Sequence, residues 1–268
     1  ATSHHLGQTF AEAFDITFAD AEERERTAHT ASWGISWRAL GALVMTHSDD
    51  QGLVLPPTVA PEQVVVVPIW QEDTREDVRQ YATELAADLD EEFRVHLDDR
   101  DERNPGFKFN EWELKGVPLR VEVGPAELEA AELTLVDRPD GEQVTVDRAD
   151  AVAAVEERLD EVYEKLYDAA EQRLVENVRE ADSIENILGT IGRHGGYVRA
   201  PWCGDEACET AVKEEIAADI VMVPFEEDSP AREHADRGDA ATPEHGPDDD
   251  CAVCGEPAET TAYFARSY

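Results

Sequence analysis

The chain has 268 residues, with 62 Asp and Glu against 23 Lys and Arg, a formal charge of -39. A hydrophobic content of 41% supports a packed core and excludes wholesale disorder, and no run approaches the roughly 18 apolar residues of a membrane span. As a net-charge argument alone, -39 speaks against nucleic acid, which wants a basic surface. Only four lysines occur, Lys108, Lys115, Lys165 and Lys213, and the acids run along the whole chain. Molar salt cuts the screening length to roughly 3 Å and removes such self-repulsion, so the composition predicts a high-salt cytoplasm. The start, Ala1 to His5, has neither the basic nor the hydrophobic part of a signal peptide. Its lack of Met suggests that the chain begins inside a longer protein.

In chain order, Leu40, Leu43 and Val44 fall at i, i+3, i+4 within Ala39 to Thr46, which predicts a buried helix opened by Arg38. His47 to Gly52 is turn chemistry, and Pro56, Pro57 and Pro61 mark a rigid connector near a domain boundary at residue 60. Residues 61–165 alternate in type. Gln63–Ile69 reads as a buried strand, Glu72–Phe93 as a helix and Arg94–Leu97 as a short strand. Asn104-Pro105-Gly106 reads as a turn, and Pro118–Val123 as a strand. Leu133–Val136 and Glu142–Val146 form a hairpin about Pro139-Asp140-Gly141. A long helix runs from a cap at Asp147 or Asp150 to about Val178. Strands alternating with helices indicate an α/β domain. Beyond it, Glu226–Asp250 has ten acids, two Arg and three Pro and predicts a mobile loop, and Thr260–Tyr268 predicts a last strand.

The four cysteines form two close pairs, Cys203 with Cys208 and Cys251 with Cys254. Two short loops joined by a long excursion suit a tetrahedral four-thiolate zinc site, with Gly204 and Gly255 placed for tight turns beside sulfur. Four thiolates leave no open position, so such a zinc would be structural. Two disulfides are the alternative. Thr2-Ser3-His4-His5 with Gly7-Gln8 either lines a polar pocket or forms an exposed loop. Trp33-Gly34-Ile35-Ser36-Trp37-Arg38 either meets a nucleotide, through close backbone approach and a stacking Arg, or is a plain helix start. Lys108 and Lys115 interleave with Phe107, Phe109 and Trp112, near Arg120. Basic groups among rings suit single-stranded nucleic acid; the other reading is a core aromatic cluster under solvated charges.

These segments together resemble the C-terminal part of the archaeal/eukaryotic-type prolyl-tRNA synthetases, a class II family. Thr2 to Gln8 resembles the family's active-site segment, and Ser32 to Arg38 its version of motif 3. Gly52 to Pro57 resembles the exit from the catalytic domain, and Phe107 to Pro125 the anticodon-binding domain. The four-cysteine region ending in Arg266-Ser267-Tyr268 resembles the subgroup's zinc domain. Trp37 stands where the family often has Thr, and Thr9 where it often has Asn. The last cysteine pair is Cys-x-x-Cys where some relatives are tighter.

The resemblance implies an α/β chain in three parts. Residues 1–60 are the remnant of an antiparallel-sheet catalytic domain, 61–165 an α/β anticodon-binding domain and 166–268 a small α+β zinc domain. It implies that Thr2, Ser36 and Arg38 meet ATP, with Arg38 on adenine and the γ-phosphate. It places His4, Trp33 and Gly34 about proline, and Lys108, Glu111 and Lys115 toward the anticodon. Cys203, Cys208, Cys251 and Cys254 would hold structural zinc, and the Tyr268 carboxylate would pack toward the catalytic domain. Expected partners are tRNA(Pro), L-proline and ATP with Mg, in the cytoplasm, off the membrane, and in a homodimer for the intact parent. Motifs 1 and 2 lie upstream in the family, so this chain is expected not to form prolyl-adenylate alone. The competing reading is a non-enzymatic tRNA-binding module.

Overall fold

The computed structural model describes residues 2–224 and 249–266, which divide into two compact units, 1–164 and 165–268. All but the last two residues of the expected acidic loop lie outside the described residues, as do Ser267 and Tyr268. Among the described residues, no helix is long and apolar enough to cross a membrane.

The first unit opens with β1 (Thr2–Gly7), α1 (Thr9–Ala13), β2 (Thr17–Ala19), β3 (Glu25–Thr27) and β4 (Thr30–Gly34). Strand β1 pairs antiparallel with β4, setting Thr2 opposite Gly34, Ser3 opposite Trp33 and His4 opposite Ser32. Helix α2 (Arg38–Thr46) and the hairpin of β5 (Ser48–Asp49) and β6 (Gly52–Leu53) follow. The expected helix is present, but the expectation that it is buried fails. No residue of α2 is buried, and Leu40 is 52% exposed. Spacing creates an apolar stripe, but burial needs a second layer. The two-stranded ribbon supplies none among the described residues.

The rest of the unit is a closed α/β sandwich. Its elements are β7 (Val64–Pro68), α3 (Arg75–Asp90), β8 (Val95–Leu97), α4 (Pro105–Lys115), β9 (Leu119–Val123), α5 (Pro125–Ala130), β10 (Glu132–Asp137) and β11 (Gln143–Asp147). The sheet order is β11-β10-β9-β7-β8, with β7 parallel to β8 and β9 and the remaining pairs antiparallel. Strand β7 is buried throughout because both faces are covered. Val64 and Val66 pack with Val78, Leu85 and Leu89 of α3, and with Val155 and Leu159 of the long helix α6 (Ala151–Glu176). Val65 and Val67 pack with Trp112 of α4. The predicted hairpin about Gly141 is present as β10 and β11.

One local expectation is corrected, and the choice between Asp147 and Asp150 as the start of the long helix is narrowed. Asn104-Pro105-Gly106 is the start of α4 rather than a free turn. The Asn104 side chain accepts from the Phe107 amide, and Pro105 occupies the first turn, where its missing N–H is harmless. The long helix is entered through a 3-10 turn at 148–150, and Asp147 makes no side-chain cap.

The second unit contains β12 (Val178–Glu180), α7 (Ile184–His194), β13 (Tyr197–Trp202), α8 (Glu206–Ile216), β14 (Asp219–Met222) and β15 (Thr260–Ala265). Its sheet runs β12-β13-β15-β14, with β15 antiparallel to both neighbours. The core is small: Ile187, Ile191, Val198, Val212 and Phe264 with several alanines.

Candidate functional site

Three places carry chemistry. The first is a cavity of about 640 Å³ at the N-terminal part, lined by Thr2, Gly34, Ile35, Ser36, Arg38, Ala39 and Ala42. Pairing of β1 with β4 creates it, because register sets Thr2 beside Gly34 and the chain then turns into α2 at Arg38. A β-carbon on Gly34 would stand 3.2 Å from the Thr2 hydroxyl, a tight contact that a larger residue would make by displacing Thr2 slightly. Thr2 and the nearby pair Ser36 and Arg38, more than thirty positions further on, thus face one space. His4 shares the strand face of Thr2, two residues on. Trp33 lies opposite Ser3, on the other face, and is 78% exposed. The structure therefore groups Thr2, Gly34, Ser36 and Arg38, and sets Trp33 apart from His4.

The second place is the edge formed by α4 and the loop after β8. Its centre is Asp98, which no motif in the sequence singled out. Asp98 is fully buried and accepts from Arg100 through both oxygens, at 2.8 and 2.7 Å, and from the Trp112 indole at 2.8 Å. Burial pushes its carboxyl up, but the hydrogen bonds from Arg100 and Trp112 and the charge of Lys108 outweigh that and hold it well below the usual carboxylate range. Lys108 is buried too. Its Nζ donates to the Asp98 carbonyl at 2.8 Å and lies 5.2 Å from the Trp70 ring. Burial pushes the Lys108 pKa down.

Direct readout by Lys108, as the sequence suggested, has no exposed face to work with. The residue holds the edge from beneath. Trp112 likewise belongs to the core, while Phe107 stays exposed with the Arg103 guanidinium 4.4 Å from its ring. Glu111 and Lys115 do reach the surface. Arg100 bridges Asp98 to Glu111 at 2.8 Å, and Lys115 Nζ lies 3.0 Å from Glu111 and 3.9 Å from the Trp112 ring centre. Arg120 is tied to Glu113 and Glu122 at 3.0 and 2.9 Å. The edge is thus basic and acidic groups in fixed pairs, which explains how local cations persist in a chain of charge -39.

The third place is the cysteine cluster. Cys203, Cys208, Cys251 and Cys254 bring one sulfur each to within 4.8 Å of all the others. All four are free thiols, which sets the disulfide alternative aside. Sγ of Cys203 lies 3.6 Å from that of Cys208 and 3.8 Å from that of Cys254. A tetrahedral ion with bonds of about 2.3 Å needs sulfurs about 3.8 Å apart, so the spacing fits a four-thiolate metal site. Gly204 and Gly255 both turn with positive φ after their cysteines. Burial opposes ionisation of Cys251, but amides of Cys254, Val253 and Cys203 outweigh it and bring its thiol to about 7. Burial pushes the Cys208 thiol up, as do its cysteine neighbours. Four such sulfurs could bind a metal ion.

Two family models and several curated relatives match the chain. The family model "Anticodon binding domain" matches residues 63–158, and "Prolyl-tRNA synthetase, C-terminal" matches 184–268. The chain is 66% identical over all of its 268 residues to a "Proline--tRNA ligase" of Halorubrum lacusprofundi, covering 52% of that relative. It is 66% identical to one of Halobacterium salinarum, covering 54%, and 41% identical to one of Deinococcus radiodurans, covering 52%. In each case the whole of this chain aligns, and it spans about half the length of the curated relatives it matches. With two family models in order along the chain and such identity throughout, the chain belongs to the prolyl-tRNA synthetase family and corresponds to its C-terminal portion.

Proposed function

We propose that the chain is the C-terminal part of an enzyme that joins L-proline to tRNA(Pro) through prolyl-adenylate, in a cytoplasm at high salt. The observation that carries this reading is the convergence of Thr2, Ser36 and Arg38 on one cavity, in a chain of this family. In this reading Thr2 and Ser36 hold ATP, and Arg38 stacks on adenine and meets the γ-phosphate. His4 and Gly34 border the proline site, and Trp33, which the strand pairing sets on the opposite face from His4, is left out of it. The proline carboxylate attacks the α-phosphate and releases pyrophosphate. A ribose hydroxyl at the tRNA 3′ end then attacks the activated carbonyl. The side chains position the reactants and balance charge, and none serves as a covalent nucleophile. Magnesium accompanies ATP as counter-charge.

Residues 61–165 are the anticodon-binding domain, with the exposed Lys115 and the half-buried Glu111 as its reading groups. Lys108 supports them through Asp98. Residues 166–268 are the zinc domain, with the four cysteines holding structural zinc beside a small core. Residues 1–60 are the end of the catalytic domain, in a parent that is a homodimer. The alternative is a non-enzymatic tRNA-binding module with a decayed active-site remnant; intact Trp33, Gly34 and Arg38 count against decay.

The test uses the chain alone in molar KCl. It should bind an RNA stem-loop with the proline anticodon and retain about one equivalent of zinc. It should give no proline-dependent exchange of pyrophosphate into ATP. Failure to bind the RNA above a scrambled loop sinks the anticodon reading. Exchange by the chain alone would refute the division of labour with the rest of the parent.

A further inference from the structure

The N-terminal part and the sandwich of the first unit meet where the hairpin of β5 and β6 sits on the C-terminal end of α4. A β-carbon on Gly52 would fall 2.4 Å from Leu114 Cα, and one on Gly116 would fall 2.5 Å from Leu53 Cβ. Both glycines have positive φ, so the two backbones touch where other residues would not fit. The Leu55 amide donates to the Gly116 carbonyl at 3.3 Å.

One guanidinium clamps this contact. Arg138 gives Nη1 and Nη2 to the two oxygens of Asp49, at 2.8 and 2.7 Å, across 89 positions of sequence. Its Nε donates to the Glu113 carbonyl of α4 at 3.1 Å. The side chain is 3% exposed. The planar fork matches a carboxylate through two bonds at once and so fixes direction as well as distance. Asp49 also accepts the Gln51 and Gly52 amides, which sets the hairpin turn.

Each side of the clamp leads to a site. On one side, the Val54 amide donates to the His47 carbonyl and the Ser48 hydroxyl to the Val44 carbonyl. These bonds tie the hairpin to the last turn of α2, whose first residue is Arg38. On the other side, Glu113 and Leu114 sit between Glu111 and Lys115 on α4. The connection is a contiguous run of hydrogen bonds and rigid helices.

We propose that Arg138 is a positioning residue: by gripping Asp49 and α4 together it sets α2 and Arg38 against the α4 edge, so that RNA held at that edge steadies the hairpin and the Arg38 cavity. This rests on the anticodon reading above. The established roles of the family's parts do not require it, since an ion pair serving only stability would leave the hairpin indifferent to RNA.

The test is hydrogen exchange on the full 268-residue chain in molar KCl, with and without the proline anticodon stem-loop. In the unaltered chain, RNA should slow exchange of amides 47–54 by about threefold or more. In Arg138→Ala the RNA still binds, β7 and β9 keep their protection, and the slowing at 47–54 is lost. Arg138→Lys, which keeps the charge without the fork, should restore part of it. Asp49→Asn keeps an oxygen for the Gln51 and Gly52 amides, and should act like Arg138→Ala even if that variant folds poorly. RNA binding without slowing in the unaltered chain, or slowing that survives both Arg138→Ala and Asp49→Asn, overturns the proposal. No RNA binding by the unaltered chain overturns the anticodon reading and the proposal with it.

Discussion

Residues 2–53 and residues 61–164 are both rich in apolar side chains, yet they place them differently. In the sandwich, Val64 to Val67, Leu85, Leu89, Leu119 and Leu135 are buried to within a few per cent. In the N-terminal part, Phe14, Trp33, Ile35, Trp37 and Met45 are each more than 70% exposed, and the buried hydrophobic residue is Ala11. The sandwich closes because five strands carry helices on both faces. Among the described residues, the N-terminal part has three two-stranded ribbons and two short helices, and no residue of α2 is buried against them. A hydrophobic pattern states which side chains want cover; topology decides whether cover exists.

Salt gives the largest expected effect. Lowering KCl from molar to about 0.1 M should unfold the chain, as the screening length rises from roughly 3 to 10 Å among 62 acids. Circular dichroism with mass-resolved hydrogen exchange should show residues 2–53 losing protection before the sandwich. Simultaneous loss would mean that the two parts share one stability. Full structure without added salt would refute the halophilic reading. Low ionic strength should cost the fold before it improves RNA affinity.

Next comes Asp98→Ala. It leaves Arg100 and the Trp112 indole without their carboxylate partner and takes the charge 3.8 Å from Lys108 Nζ, whose bond to the residue-98 carbonyl stays, and should cost about 3–5 kcal/mol in urea unfolding. A cost near zero would show that Asp98 is not the hub of the edge. Leu119→Ala should cost about 3 kcal/mol, because the closed sheet cannot collapse around the vacancy. Leu40→Ala on α2, half exposed, should stay within about 0.5 kcal/mol. Equal costs at Leu119 and Leu40 would erase the contrast between the two parts.

Acid should act on the sandwich in a definite window. Asp98 and Asp49 both sit below the usual carboxylate value of 3.8 when folded, Asp49 chiefly through its hydrogen bonds from Arg138. The folded forms hold their protons less tightly than the unfolded chain does. Their contribution is therefore full above about pH 4 and lost as pH falls below it. Urea midpoints followed by tryptophan emission should stay level from pH 7 to about 5 and fall below about 4. Asp98→Asn should flatten that fall. An unchanged slope in this variant would assign the acid limb to other carboxylates.

Much of the fold was legible because it rests on local signals. The run Val64–Val67 announces a strand covered on both faces, and the period of 72–93 announces α3. The Gly141 hairpin and the two cysteine pairs are equally local. Asn104-Pro105 was misread because Asn and Pro begin turns and helices alike; the Phe107 amide reaching the Asn104 side chain settles it. Among site residues, Thr2, Ser36 and Arg38 came from motif resemblance, and their common cavity depends on the register of β1 against β4.

By itself, then, the sequence determined which segments are helix or strand, that sulfur comes in two pairs and which family the chain resembles. These depend on spacing along the backbone and on residue chemistry. Tertiary structure alone decided that Lys108 is buried rather than reading a base, and that Asp98 gathers Arg100, Trp112 and Lys108. It also decided that Arg138 finds Asp49 across 89 residues, and that the stripe of α2 meets no partner among the described residues. Each is a question of what lies opposite a side chain in space. A charge or an apolar group carries its demand in its own atoms, but the group that meets it comes from distant sequence, brought there by strand order and packing.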